Sequence, residues 1–343
     1  MMEFVVTSAV KAFFVFFVVL STVPVLVYVE RRVSAFIQDR VGPNRVGPLG
    51  LLQPVADVVK FIFKEDIVPP HANKWLFMLA PVFALVPALM TMAVVPFGHT
   101  LTVAGREVPL IVADVNVGIL FVFALTSLGV YGIVLAGWAS NNKYSLLGGL
   151  RAAAQMISYE LAMGLSVVGV IMLAGSLRLT DIVLAQSDWY WFVFKQPLGA
   201  VIFLIASYAE TNRLPFDLPE AEAELVAGYH TEYSSMKFAL FFMAEYAAMI
   251  TASALTVTLF FGGWQLPFYL EWSRGLPPLV RDLIPMAVFA FKVAFFLFLF
   301  VWVRWTFPRF RYDQLMGFGW KVLLPLALLN IAATGLFMLL GWV

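Results

Sequence analysis

The sequence predicts an all-α, polytopic membrane protein with about eight transmembrane helices, an amphipathic surface helix and long cytoplasmic-side loops. Three observations predict it. Of 343 residues, 62% are hydrophobic and only 13% are charged, about half the charged fraction of a typical soluble chain. The mean hydropathy is +0.90, so the chain calls for a low-dielectric solvent. The apolar residues also fall into eight runs of about 20, the length of a helix that crosses a bilayer. The whole of 1–343 reads as one integral membrane domain.

The first span lies near 4–29. An acid at Glu3, no basic segment ahead of the apolar run and no small-residue cleavage site before Glu30-Arg31-Arg32 mark it as a retained helix rather than a signal peptide. In the loop that follows, Leu51, Val55, Val58, Val59 and Ile62 share one helical face, while Gln53, Asp57, Lys60 and Lys64 share the other. That pattern predicts an amphipathic helix lying along the membrane surface or under a docked partner. Further spans lie near 75–97, 115–139, 152–174, 189–209, 238–261, 283–303 and 321–342. The fifth is the weakest: Lys195 interrupts it, and Gln196–Ala209 alone is too short to cross. Trp189, Tyr190 and Trp191 at its start read as an interfacial aromatic belt.

Alternating loops put fifteen of the 22 Lys and Arg residues on one side. The positive-inside rule makes that side cytoplasmic or matrix and places both termini on the outer side. The larger polar loops, 30–74, 210–237 and 304–320, all fall on it. A net charge of +1 gives no argument for a nucleic-acid partner. With no cysteine in the chain, any iron–sulfur cluster or thiolate zinc site belongs to another subunit. His71, His99 and His230 are too few and too scattered to suggest a haem or di-metal centre, so no metal site is expected.

The scarce acids are crowded. AETNRLPFDLPEAEAEL (209–225) holds Glu210, Asp217, Glu220, Glu222 and Glu224, and Glu232 follows. Pro215 and Pro219 keep this segment from running on as a regular helix, and Arg213 and Asp217 on either side of Pro215 are expected to pair. Glu160 and Glu245 fall inside apolar spans, and Glu210 closes the fifth. An ionised carboxylate near mid-bilayer costs about 2.5–3.5 kcal/mol, so such groups survive by pairing, by reaching water or by holding a proton. Two readings stand: a proton relay, the default for intramembrane acids, or hydrogen-bonded glue between helices. For Glu220–Glu224 the bland reading is a solvated acidic loop. Lys292, in the seventh span, is a candidate counter-charge.

ERRVSAFIQDRVGPNRVGPLGLLQPVADVVKFIFKE (30–65), AETNRLPFDLPEAEAELVAGYHTEYSSMKFALFFMAEY (209–246), RWTFPRFRYDQLMGFGWK (304–321) and ISYE at 157–160 resemble the signature segments of one family over nearly the full length. That family is the H subunit of NADH-quinone oxidoreductase, the membrane subunit of respiratory complex I beside the quinone pocket. The resemblance implies docking of peripheral-arm quinone-module subunits, contact with small and antiporter-like membrane subunits, and ubiquinone or menaquinone as substrate. It implies that FMN and iron–sulfur clusters sit on partner subunits, with no cofactor held by this chain alone, and that the host is a bacterial inner membrane. By motif, Glu30, Arg31, Arg40, Asp57 and Lys60 would belong to the quinone-chamber mouth, with Arg213 and Asp217 in the chamber wall. Glu210, Glu220, Glu222, Glu224 and Glu232 would lead away from it as a proton relay, continued by Glu160 and Glu245. Arg304, Arg309 and Arg311 would support the loops and the arm interface.

Rival readings remain. A membrane-bound hydrogenase, a deazaflavin-linked dehydrogenase or a ferredoxin-linked complex would use a homologous subunit. A stand-alone proton-coupled transporter would show internal repeats or paired broken helices, and no repeat is evident. A scaffold without chemistry is disfavoured by the buried acids.

Overall fold

The computed structural model of the chain describes residues 2–103, 106–187, 191–218, 226–267 and 277–341. Glu220, Glu222 and Glu224 of the acidic loop, and Trp189 and Tyr190 of the predicted aromatic belt, lie outside the described residues. Among the described residues helix dominates, and the only sheet is a two-stranded hairpin.

In chain order the helices are α1 (Met2–Ile37), α2 (Gln53–Phe63), α3 (Lys74–Met90), α4 (Gly118–Ala139), α5 (Lys143–Ala174), α6 (Leu179–Leu184), α7 (Phe192–Lys195) and α8 (Pro197–Glu210). They continue as α9 (Ser235–Phe260), α10 (Pro278–Thr306), α11 (Tyr312–Phe318) and α12 (Leu324–Leu339). Among the described residues seven stretches are long and apolar enough to cross a bilayer: α1, α3, α4, α5, α9, α10 and the continuous run from α11 to α12. The protein is an integral, multi-pass membrane protein.

The fifth predicted span is the exception its sequence foreshadowed. It is broken at Gln196, whose φ of −131° is non-helical; the residue before a proline is disfavoured in helix. Restarting at Pro197, α8 has 14 residues, about 21 Å, short of the roughly 30 Å hydrocarbon thickness. A π-helical turn at Gly319–Leu323 joins α11 to α12. The strands Thr100–Val103 and Arg106–Pro109 pair antiparallel, in a loop whose residues carry no clear strand pattern.

Local chemistry sets the helix ends. Asn73 and Asn142 cap α3 and α5, accepting from the backbone N–H of Leu76 and Tyr144, and Gly175 in the left-handed region closes α5. The spans pack through small residues. A Cβ on Gly132 of α4 would lie 2.6 Å from the Ala84 nitrogen of α3, and one on Gly148 would lie 2.7 Å from Gly228.

The loops sort to two ends of the bundle. At one end, the hairpin meets α10 through the Thr102 N–H, which donates to Asp282 at 2.9 Å, and Arg178 pairs with Asp114. At the other end, the three large polar loops touch one another: the Phe310 N–H donates to the Pro215 carbonyl, and Lys237 pairs with Asp66 at 2.8 Å.

The surface helix α2 forms as the periodicity predicted, and its orientation is informative. Asp57 faces the chain and pairs with Arg31 of α1 at 2.6 Å, while Gln53 donates to Asp57 at 3.3 Å. Val55, Val58, Val59 and Ile62 point outward, 45–57% exposed. Asp57 and Gln53 are the inward contact of the polar side, with Lys60 and Lys64 exposed; the apolar side is offered to lipid or to a partner.

Candidate functional site: a buried carboxylate–arginine cluster

Where the large loops meet the spans, charged groups from four segments converge. Arg213, on the loop after α8, is 3% exposed. Its guanidinium pairs with Glu30 of α1, Nη1 donating to both carboxylate oxygens at 3.2 Å, and with Glu245 of α9. It also lies 4.4 Å from the ring centre of Tyr246. Tyr246 donates its hydroxyl to Glu30 at 2.7 Å, and Arg304 at the end of α10 pairs with Glu30 from another side. Two carboxylates thus share a buried arginine, Arg213, with the partly exposed Arg304 beside them. Burial works against the Arg213 charge, but Glu245 and Glu30 outweigh it and raise its pKa well above the ordinary value.

The expected Arg213–Asp217 pair is not formed. Arg213 turns toward the buried Glu30 and Glu245, where a counter-charge is needed most, and Asp217 pairs instead with Arg309 at 2.8 Å. Asp217 is 8% exposed, and its Oδ1 has no hydrogen-bond partner among the described residues. Burial pushes its carboxyl up despite the pull of Arg309. The bond between Leu214 and Pro215 is cis.

Gln155 of α5, fully buried, anchors this loop: its side-chain amide donates to the carbonyls of Ala209 and Phe216 at 2.8 and 2.7 Å. Aromatic rings extend the anchor, Tyr159 packing edge-on against Phe216 and Phe216 against Phe310.

Deeper in the bundle, a cavity of about 110 Å³ is bounded by Glu210, Glu245, Thr91, Thr126, Ser207 and Thr251 among largely apolar walls. A water needs about 10–15 Å³ measured this way, so several fit. One oxygen of Glu210 is buried without a hydrogen-bond partner among the described residues. Glu160 lies close enough to repel it, and Ser127 donates to Glu160. The cavity therefore joins the Arg213 cluster, through Glu245, to the Glu210–Glu160 pair.

The remaining candidates lie around this core. Asn142 donates to Glu232 at 2.6 Å. Arg31 and Asp57 hold α2 to α1, Lys60 lies over the Phe61 ring, and Arg40 donates to Gln38. Arg311 pairs with Asp313 and closes a capping box on α11. Among the described residues no acid pairs with Lys292: its ammonium donates to the carbonyls of Phe261, Gly263 and Gln265 at 2.8–3.0 Å and lies over Trp191. It staples the end of α9 instead. Tyr246, Gln155 and Ser127 went unread in the sequence. Gln155 and Ser127 were visible as polar residues inside apolar spans, and Tyr246 as the neighbour of Glu245.

Two features of the loop end lend themselves to measurement. Ser235, at φ +56°, donates to the carbonyls of Phe61 and Lys64 at 2.8 and 3.0 Å, latching the end of α2 to the start of α9. Ser235→Ala is expected to loosen that latch by about 0.5–1.5 kcal/mol, the worth of one hydroxyl proton shared between two carbonyls, read as faster amide exchange over residues 59–66 with the spans unchanged. His230, packed edge-on against Tyr229 and Phe238, has its pKa lowered by burial from 6.5 to about 4. A depressed folded-state value stabilises above the unfolded pKa and ceases to do so as pH falls through the folded one. The 226–237 segment should therefore lose protease resistance between pH 6.5 and about 4, and His230→Phe should flatten that dependence.

The chain matches the NADH dehydrogenase family over residues 10–335. It is 58% identical over 330 residues to the NADH-quinone oxidoreductase H subunit 1 of Geobacter metallireducens, covering 96% of each chain. It is 52% identical over 351 residues to the corresponding H subunit 2 of Koribacter versatilis, covering 98% of each. It is also 53% identical over 332 residues to NADH-quinone oxidoreductase subunit 8 of Rhodothermus marinus, covering 94% of this chain and 95% of the relative. The chain belongs to the NADH dehydrogenase family, with the membrane proteins named as H subunits of NADH-quinone oxidoreductase.

Proposed function

We propose that this chain forms part of the quinone-binding chamber of a proton-pumping NADH:quinone oxidoreductase, docks its peripheral arm, and relays protonation changes toward the pumping subunits. The observation that carries this reading is the cluster of Glu30, Arg213 and Glu245 opening through Glu245 onto a cavity that Glu210 also lines, with Glu160 beyond it in the span. Reduction of a quinone to a quinol takes up two electrons and two protons, the electrons arriving from partner proteins that hold flavin and iron–sulfur clusters. Negative charge delivered beside the cluster raises the proton affinity of nearby carboxylates. Arg213, poised between Glu30 and Glu245, neutralises whichever of the two is ionised. A proton gained at Glu245 weakens its hold on Arg213 and leaves the cavity side free to exchange with Glu210. Glu210 and Glu160 repel each other, so protonation of one favours ionisation of the other. The loop anchored by Gln155 and Phe216 carries Arg213, so movement of that loop would switch the pairing.

The outward apolar face of α2 and the exposed Arg311–Asp313 pair supply the surfaces for lipid and for the arm. Asp57, which fixes α2 to α1, is expected to matter for quinone access. Asp57→Ala should lower quinone reduction several-fold while leaving assembled complex near wild-type amounts, measured as NADH:quinone activity per assembled complex. The reverse pattern would make Asp57 purely structural. Purification in mild detergent tests the whole reading: recovery within an NADH-oxidising assembly supports it, and recovery alone with transport activity overturns it.

A further inference from the structure

At the hairpin end of the bundle, α1 and α3 do not close against each other. Between them lies a cleft of about 280 Å³ bounded by Ala12, Val15 and Val19 of α1, Val86 and Met90 of α3, and Val112. Its walls are almost wholly apolar, and Ala12, Val86 and Met90 are exposed at its rim. One residue before Ala12 stands Lys11, the only cation in the apolar run of α1 ahead of Arg31. Its ammonium donates to the Ile111 carbonyl at 2.8 Å and reaches the Pro109 carbonyl at 3.5 Å. Neither carbonyl carries a charge, an ammonium has three donors, and among the described residues no carboxylate pairs with it.

A lysine within a spanning helix places its stem along apolar surface and its charge at the headgroup level. Lys11 is therefore a fixed positive charge at the mouth of an oily cleft. From Ala12 to Val19 the cleft runs about 10 Å. An apolar cleft that ends at a cation is complementary to an anion carried on an apolar chain. A single hydrocarbon chain fits the space, and a chain lying along it brings an attached anionic headgroup to Lys11.

We propose that the α1–α3 cleft and Lys11 form a binding site for a glycerophospholipid of the leaflet at the hairpin end. One acyl chain fills the cleft and the phosphate pairs with the Lys11 ammonium. The lipid completes packing that the protein leaves open on α1, the helix that also carries Glu30 at its other end.

The test uses the whole complex reconstituted in vesicles containing phosphatidylglycerol with a photoactivatable acyl chain. Labelled residues are then mapped by peptide mass spectrometry. Label is expected on residues 12–19 and 86–93. Lys11→Gln should lower it about fivefold, the weight of one Lys near an anionic surface. Ala12→Phe, which fills the cleft from an exposed position, should abolish it. Labelling around the lipid-exposed Phe291 and Phe295 of α10 serves as the internal control and should not change in either variant. The proposal is overturned if labelling of the cleft matches that of α10 and neither variant alters it. It is also overturned if an isoprenoid-tailed quinone probe displaces the lipid, or if a single cysteine at Val86 cross-links to another subunit.

Discussion

Arg213→Met is expected to destabilise the protein by about 3–5 kcal/mol, the cost of leaving a buried charge without its partner. Glu30 and Glu245 would then face each other with only Arg304 and the Tyr246 hydroxyl to balance them. A loss of that size approaches the whole stability of a domain, so assembled complex should fall sharply and NADH-driven quinone reduction with it. The effect should be partly rescued by Glu245→Gln in the same chain, because the variant then buries one acid fewer. Wild-type assembly and melting in Arg213→Met would show that the cluster is not held by this guanidinium. A lysine at 213 should rescue poorly, since one ammonium cannot present the planar fork that reaches two carboxylates at once.

Glu210→Gln is expected to behave in the opposite way. Among the described residues Glu210 has no ionic partner to abandon, and glutamine keeps its size, so the complex should assemble and melt normally. Turnover coupled to pumping should fall by about two orders of magnitude, the lower range for removing a positioned proton carrier. Glu245→Gln should give a similar loss of turnover with a small stability change, because Arg213 keeps Glu30. Normal quinone reduction together with normal proton translocation in both variants would count against a relay through these residues.

These contrasts rest on which parts of the site could be read before the fold was known. The spans were legible because apolar length is the dominant signal in a membrane chain, and even the broken fifth helix announced itself through Lys195 and Pro197. The presence of Glu160, Glu210 and Glu245 in oil was equally plain. What they pair with was not. Arg213 stands four residues from Asp217, and proximity along the chain suggested a local pair. The folded chain brings Arg213 to Glu30, 183 residues away, because two buried acids attract the nearest deeply buried cation more strongly than one acid that Arg309 already serves. Lys292 was open for a like reason: a cation inside a span suggests an acid, and among the described residues it meets three backbone carbonyls at a helix end. The outward turn of α2 was ambiguous because periodicity identifies two faces without saying which meets the chain. The hairpin at 100–109 was missed because its short strands lie in a connecting loop with no strong alternation.

Redox-induced infrared difference spectroscopy on the assembled complex tests the relay most directly. On reducing the bound quinone, the account predicts a change in carboxyl absorption that marks proton gain or loss by buried glutamates. Part of that change should disappear in Glu210→Gln and another part in Glu245→Gln. Spectra in which neither variant differs from the unaltered complex would mean that these side chains hold one protonation state throughout, and the account would fail.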